Sequence, residues 1–365
     1  MVVALAALQR QQGCKVRIIC LFEAGALAAR AQAAGVDVLA VGKRPGLDLK
    51  AMFKLRSALR EFEADIVHTH NAMSHYYAAP ATALSGARRL VSTRHGMGPS
   101  QGRGRLERLY RTALFRTHAA AAVCQAGRKR FVDAGIIPEA KAAVIPNGVD
   151  VARIAPRSDE ARKAFMESLN RPVDSIVIGT VGRLNLVKDY GTLLHAVSTI
   201  HRSGRAVELV IAGDGPTRPE LESLAASLPL KDRVHFLGMR SDVDRLLGAF
   251  DIFALSSLTE GYSLALVEAA AAGLPIVATD VGGNGEIVRH EANGLLVPAK
   301  DPAKLAEALT RLVDDRELAR SLGANGRQWA LQHGSVDAMA RAYMDLYAGA
   351  SAASVTKNVF AHASD

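Results

Sequence analysis

The stretch Asp251-Ile-Phe-Ala-Leu-Ser-Ser-Leu-Thr-Glu-Gly-Tyr-Ser-Leu-Ala-Leu-Val-Glu268 changes character twice. Asp251–Leu255 is an apolar run of strand length, and Ser263 opens a run that reads as helix to Ala272. A strand that turns through a short loop into a helix aims free backbone N–H groups, here from Gly261, Tyr262, Ser263 and Leu264, at whatever lies above the sheet. Two carboxylates, Glu260 and Glu268, flank that turn. Acceptor side chains beside an anion cradle suit a ligand with both hydroxyls and phosphates, and a nucleotide-sugar is such a ligand.

Working outward, the strand–helix alternation repeats. From Ser175 onward, apolar runs at Ile176–Val181, Val207–Ala212, Val234–Leu237, Asp251–Leu255, Pro275–Thr279 and Gly294–Val297 alternate with helical patterns. Those helices are Tyr190–His201, Pro219–Leu228, Val243–Phe250 and Ala303–Val313. Such alternation predicts βαβ units and a doubly wound parallel sheet, and strands apolar on both faces fit a sheet covered on both sides. The first half repeats the theme with strands at Val16–Leu21, Val36–Ala40, Ile66–His70, Leu90–Thr93 and Ala121–Cys124. Turn chemistry at Pro146-Asn-Gly148 closes it, and a polar helix around Ser158–Leu169 follows. The expectation is α/β: two Rossmann-like doubly wound domains, 1–150 and 151–345, facing a central cleft, with residues 346–365 as a tail.

One departure stands out. Such a domain normally opens with its central strand and a glycine-rich loop, whereas this chain opens with a helical pattern at Ala4–Gln12. The missing strand and loop are expected upstream of Met1, so the first domain is read as incomplete at its start.

Composition bounds the function. Of 365 residues 49% are hydrophobic and 22% charged, which fits packed domains rather than disorder. No apolar run reaches the roughly 20 residues of a membrane helix. The opening residues lack the basic start and cleavage site of a signal peptide. Three cysteines, Cys14, Cys20 and Cys124, lack paired spacing and point to a reducing compartment. Residues 1–150 hold 22 Lys and Arg against 10 Asp and Glu, while the remainder holds 23 against 26. The basic excess therefore lies in the first part, with Arg103, Arg105, Arg108, Arg111 and Arg116 as a local cluster. It reads either as a solvated surface or as attraction to an anionic membrane surface or phosphorylated acceptor. Nucleic acid is the weaker option, because no aromatic interleaving accompanies the charge.

A set of short motifs then carries a resemblance. They are His68-Thr-His70, Arg94-His-Gly96, Ile145-Pro-Asn-Gly-Val-Asp150, Val181-Gly-Arg-Leu184 followed by Lys188, Ile211-Ala-Gly-Asp-Gly-Pro216, Phe236-Leu-Gly238, and Glu260 to Glu268 with Ala271-Ala-Gly-Leu-Pro275. Each is weak alone, but their order and spacing resemble the retaining glycosyltransferases of family 4, with the GT-B fold, over nearly the whole chain. The resemblance implies sugar transfer from a nucleoside-diphosphate-sugar to an acceptor hydroxyl with retained configuration, in lipopolysaccharide, glycolipid or exopolysaccharide synthesis. It implies no metal and no bound cofactor. A cytoplasmic enzyme, peripheral on the inner face of the membrane, fits lipid-linked or saccharide acceptors. Two alternatives stay open: a GT-B relative that epimerises the nucleotide-sugar, and a truncated chain that binds donor without turning it over.

Arg183 and Lys188 lie in the loop after a strand, where two cations suit a diphosphate. The resemblance implies that they hold it and stabilise the charge that develops there; a solvated basic pair is the plain alternative. By resemblance Glu268 accepts from ribose hydroxyls and Glu260 from the transferred sugar, although a carboxylate beside a helix N-terminus also serves the dipole. Gly182, Gly261, Tyr262, Ser263 and Leu264 complete the donor side. Ser263 also suits a helix cap, which needs no ligand. Gly238 and Met239 are where the base packs by resemblance, with no readable preference among bases. Gly213-Asp-Gly-Pro216 lacks a full dinucleotide fingerprint, which argues against nicotinamide chemistry.

His95 resembles the family histidine near the transferred sugar, so His95, Arg183, Lys188 and Glu260 form the catalytic set. His70 and Asn147 are placed on the acceptor side, with a hinge near Asn147. His68, His70 and His95 also imitate a three-histidine metal site, a reading disfavoured because no acidic neighbour completes it.

Overall fold

The computed structural model describes residues 1–83, 85–97, 104–230 and 232–361. They divide into two compact units: residues 1–148 with the chain from Val336 onward, and Val149–Ser335.

In the first unit β1 (Arg17–Cys20) pairs in parallel with β2 (Asp37–Ala40) and, among the described residues, with no other strand. Four further parallel strands, β3 (Ile66–His70), β4 (Arg89–Arg94), β5 (Ala119–Ala122) and β6 (Ala142–Val144), form a separate sheet in that order. Between β1 and β3 lies a cavity of about 930 Å³, lined among others by Ile18, Cys20, Leu59, Val67, His70 and Tyr347. The expected single doubly wound sheet is thus split. One face of the four-stranded sheet packs Val91, Ala121 and Ala143 against Leu5, Tyr343 and Val355. The other packs Leu90 and Val67 against Leu55, Leu59 and Tyr77 from the helices Leu49–Glu61 and Ala72–Thr82.

Three expectations are corrected here. The strand expected at Ala121–Cys124 runs Ala119–Ala122; Cys124 instead caps the helix Gln125–Asp133, its sulfur accepting from the Gly127 N–H at 3.2 Å. β6, just ahead of the turn expected at Pro146–Gly148, is not among the expected strands, and all three of its residues are buried. The boundary at 345 and the separation of residues 346–365 as a tail are corrected as well. The helices Val336–Ala348 and Ala352–Ala361 cover the first unit, where Thr356 accepts from the Val144 N–H at 2.9 Å. Their amphipathic pattern shows a buried face but not which sheet it covers. Residues 362–365 lie outside the described residues.

In the second unit all six expected strands are present: β7 (Ile176–Val181), β8 (Val207–Ala212), β9 (Val234–Gly238), β10 (Ile252–Leu255), β11 (Ile276–Thr279) and β12 (Leu295–Val297). They form one parallel sheet in the order β12-β11-β10-β7-β8-β9. β8, β10 and β11 are buried along their whole length, as a sheet covered on both faces requires. The helix expected at Val243–Phe250 is only Val243–Leu246, continued by a tight 3₁₀ turn, Leu247–Ala249. Asp251 is buried ahead of β10 and is pinned by Arg157, Arg162 and the Val177 N–H at 2.9, 2.7 and 2.9 Å. Among the described residues no helix is long and apolar enough to cross a membrane.

Candidate functional site

The chain winds outward through β7, β8 and β9, then returns to start β10 on the other side of β7. The loops leaving the C-terminal ends of β7 and β10 therefore diverge at a topological switch point, the place where open α/β sheets bind ligands. The first loop carries Gly182, Arg183 and Lys188, and the second runs from Ser256 to Ser263. They are fastened together. The Leu258 N–H donates to the Val187 carbonyl at 2.7 Å, and Ser256 Oγ donates to the Lys188 carbonyl at 3.0 Å. Lys188 Nζ donates to Glu260 Oε1 at 2.6 Å, and Ser257 Oγ donates to the same oxygen at 2.6 Å. Both bonds fall on Oε1, so Oε2 keeps its lone pairs for another donor. Arg183 is exposed and carries no hydrogen bond or ion pair to a described residue.

Neighbouring loops press close. Gly282, at φ +56°, sits where a Cβ would overlap the Glu260 carbonyl oxygen. Gly213, at φ +144°, abuts the Gly182 carbonyl in the same way. Side chains at either position would push the two fastened loops apart.

Ser263 occupies the cap position of the helix Leu264–Ala271 but makes no side-chain cap bond, and its buried hydroxyl has no partner among the described residues. The plain capping role expected of it is absent. The N–H groups of Gly261, Ser263 and Leu264 donate to no described carbonyl, which leaves the expected cradle open. Tyr262 is buried beside them. On the same helix, Glu268 is half-buried with no described partner for its carboxylate, and burial pushes its pKa up to about 7. A carboxylate in that state gains from any hydroxyl that reaches it. Gly238 ends β9 at φ +66°, and Met239 beyond it is 85% exposed.

In the first unit the structure brings His70, His95 and Asn147 together. His70 Nδ1 and His95 Nε2 are 3.0 Å apart with their rings stacked. Burial lowers the His95 pKa, against a modest upward pull from the buried Asn147 side chain. Burial, with the neighbouring His95, drives His70 down to about 3. His68 is committed elsewhere: its ring nitrogens meet Tyr347 Oη at 2.6 Å and Thr93 Oγ1 at 2.7 Å. Among the described residues no group of three or more His, Cys, Asp or Glu is placed to hold a metal ion. Of the basic cluster, Arg108, Arg111 and Arg116 are exposed, whereas Arg103 and the Arg105 side chain lie outside the described residues.

Sequence reasoning missed Ser257, which joins Lys188 on Glu260, and Thr279, which donates to the Ser257 carbonyl at 2.6 Å. The available signal was a pair of serines ending an otherwise apolar strand.

The family model described as Glycosyl transferases group 1 matches residues 161–329, and the one described as Glycosyltransferase Family 4 matches residues 1–153. The chain is 31% identical over 280 residues to the UDP-Gal:alpha-D-GlcNAc-diphosphoundecaprenol alpha-1,3-galactosyltransferase of Escherichia coli, covering 74% of this chain and 72% of that one. It is 30% identical over 313 residues to the GDP-mannose-dependent alpha-(1-6)-phosphatidylinositol monomannoside mannosyltransferase of Mycobacterium tuberculosis, covering 82% and 80%. Its fold matches that of Anabaena HepE, crystallised with UDP-glucose, at a TM-score of 0.85 and 23% identity over 96% of this chain and 95% of that one. With both halves matched in sequence and the GT-B fold matched in three dimensions, the chain belongs to glycosyltransferase family 4 and is a glycosyltransferase.

Proposed function

We propose that this enzyme takes a sugar from a nucleoside-diphosphate-sugar and places it on the hydroxyl of a lipid-linked or saccharide acceptor, with retention at the anomeric carbon. The observation that carries the reading is the fastened pair of loops at the switch point. It sets a free Arg183, the Lys188–Glu260 pair, open N–H groups and an unpartnered Glu268 on one sheet edge. Those groups match, in kind and number, a diphosphate flanked by hydroxyl-bearing sugars. The relatives named above use UDP-galactose and GDP-mannose and act on lipid-linked acceptors, which supports the donor and acceptor classes.

In this reading Arg183 and Lys188 take the diphosphate and hold the negative charge that grows as the glycosidic bond breaks. Glu260 offers Oε2 to the sugar hydroxyls, while Glu268 accepts from the ribose. His95 and His70, both kept neutral by burial, serve the sugar and the acceptor as hydrogen-bonding groups rather than as cations. Glu260 is engaged by Lys188 and Ser257, which suits a binding group better than a nucleophile. The acceptor oxygen then bonds to the anomeric carbon on the face from which the phosphate departs, and the departing phosphate oxygen takes the acceptor proton. Transfer takes place at the cytoplasmic face of a membrane.

Thermal-shift titration with UDP, GDP, ADP and their sugar conjugates tests the donor site. Stabilisation by one nucleotide, lost in Glu268→Ala, supports the assignment and names the base. A folded protein indifferent to all of them sinks it. The anomeric coupling of the product, read by NMR, tests retention.

A further inference from the structure

The segment from Val41 to Arg60 lies outside everything assigned so far. It holds six Lys and Arg and a single acid, Asp48. Its loop is built tightly. Buried Lys43 donates to the Arg44 and Gly46 carbonyls, each at 2.8 Å, and Tyr77 Oη accepts from the Asp48 N–H at 2.9 Å. The Asp48 carboxylate accepts from the Arg44 N–H at 2.9 Å and the Ala51 N–H at 3.1 Å, and these bonds hold it below the ordinary carboxylate range. The one acid is thereby spent on starting the helix Leu49–Glu61.

That scaffold fixes what faces outward. Ala51, Leu55, Ala58 and Leu59 turn into the core. Leu47, Leu49 and Phe53 stay 67%, 57% and 65% exposed, three large apolar side chains within seven residues. Leu49 and Phe53 are four apart and so share a face; Lys50 and Lys54 do the same beside them. Arg44, Lys50 and Lys54 are exposed, and Lys54 reaches back to the Val41 carbonyl at 3.4 Å. Leaving three such side chains in water forgoes their transfer free energy, which a soluble surface helix normally recovers by turning them inward. The patch is pinned by the hydrogen-bonded loop that carries it, and exposed cations accompany its apolar side chains. That chemistry fits shallow insertion among anionic headgroups.

We propose that Leu47, Leu49 and Phe53, ringed by Arg44, Lys50 and Lys54, are a docking surface for an anionic phospholipid bilayer. The patch deepens the lipid-acceptor part of the reading above, and its test uses neither donor nor acceptor, so either idea fails without the other. The full chain is floated with phosphatidylcholine vesicles, with and without phosphatidylglycerol, at low and high salt. Binding is expected only with phosphatidylglycerol and is expected to fall with salt. Lys50→Gln with Lys54→Gln should lower partition by roughly thirtyfold, at about 1 kcal/mol per cation. Phe53→Ser should lower it by about tenfold or more. Both variants must keep the parent's melting temperature, and because they alter exposed side chains alone, at least one is expected to fold. Absence of parental binding, equal binding to both vesicle types, or variants that bind like the parent would each overturn the proposal. Retention on an acidic protein column with no vesicle binding would do the same.

Discussion

In Val149–Ser335 six parallel strands form one sheet, and the loops at its switch point are tied to each other by side chain and backbone. In the first unit two strands stand apart from four, β2 is largely exposed, and a cavity occupies the space between the sheets. The charge divides in the same way, with the basic excess confined to residues 1–150. The difference teaches that the loops proposed to hold the donor are fastened to each other by the chain's own groups. The first unit instead presents surface, charge and a separate, largely exposed pair of strands. Preorganised donors gain most where charge develops during reaction, whereas a broad cationic surface acts on encounter.

The sharpest way to break this comparison is hydrogen exchange. Amides of β7 and β8 are expected to exchange slower than those of β1 and β2 by orders of magnitude, since local opening scales with buried packing. Equal protection would erase the contrast. Next in size is Lys188→Ala, which removes the proposed diphosphate contact and leaves Glu260, among the described residues, held by Ser257 alone. Turnover should fall roughly a hundredfold, about 3 kcal/mol. A drop of only a few-fold in steady-state kinetics would mean that the fastened loops are merely structural.

Glu268 sharpens the comparison through pH. Its pKa is raised on folding, so the protonated form is favoured by the folded chain. Stability from that form is complete at low pH and is lost as pH rises through about 7. Glu268→Gln should therefore melt higher than the parent above that pH, by an amount on the order of 3 kcal/mol. Nucleotide hydroxyls favour the ionised form, so parental affinity should climb by at most about tenfold per pH unit below neutrality, then flatten. In Glu268→Gln calorimetry should find no such slope. Ser257→Ala should cost less, about fivefold in kcat through a lost hydrogen bond of about 1 kcal/mol, and Ser257→Thr should restore part of it. The smallest effect expected is none: EDTA should leave the rate unchanged if Arg183 and Lys188 meet the diphosphate charge.

Legibility followed the same divide. Strands such as Val207–Ala212 announce themselves because both faces are buried, and the intervening helices are long enough to show their period. The sequence motifs also pointed to Lys188, Glu260 and Glu268, because their chemistry depends on residue type at fixed spacing. β6 was missed because three residues of alanine and valine carry no period. The helix Val336–Ala348 showed an apolar face but no destination, since Tyr343 meets Thr93 across 250 residues of chain. Ser257 was passed over because a serine's role lies in its partner. The outward Leu47, Leu49 and Phe53 were equally hidden, because hydropathy does not say which side of a helix is already full.

The cavity between β1 and β3 is bounded by two strands that, among the described residues, are each paired on one side only, so two rows of backbone donors and acceptors look across the same gap. A half-paired strand is a template for any extended segment that comes within reach. The gap therefore has the form of a strand slot: an extended segment that enters it pairs on both sides at once and joins the two sheets into one.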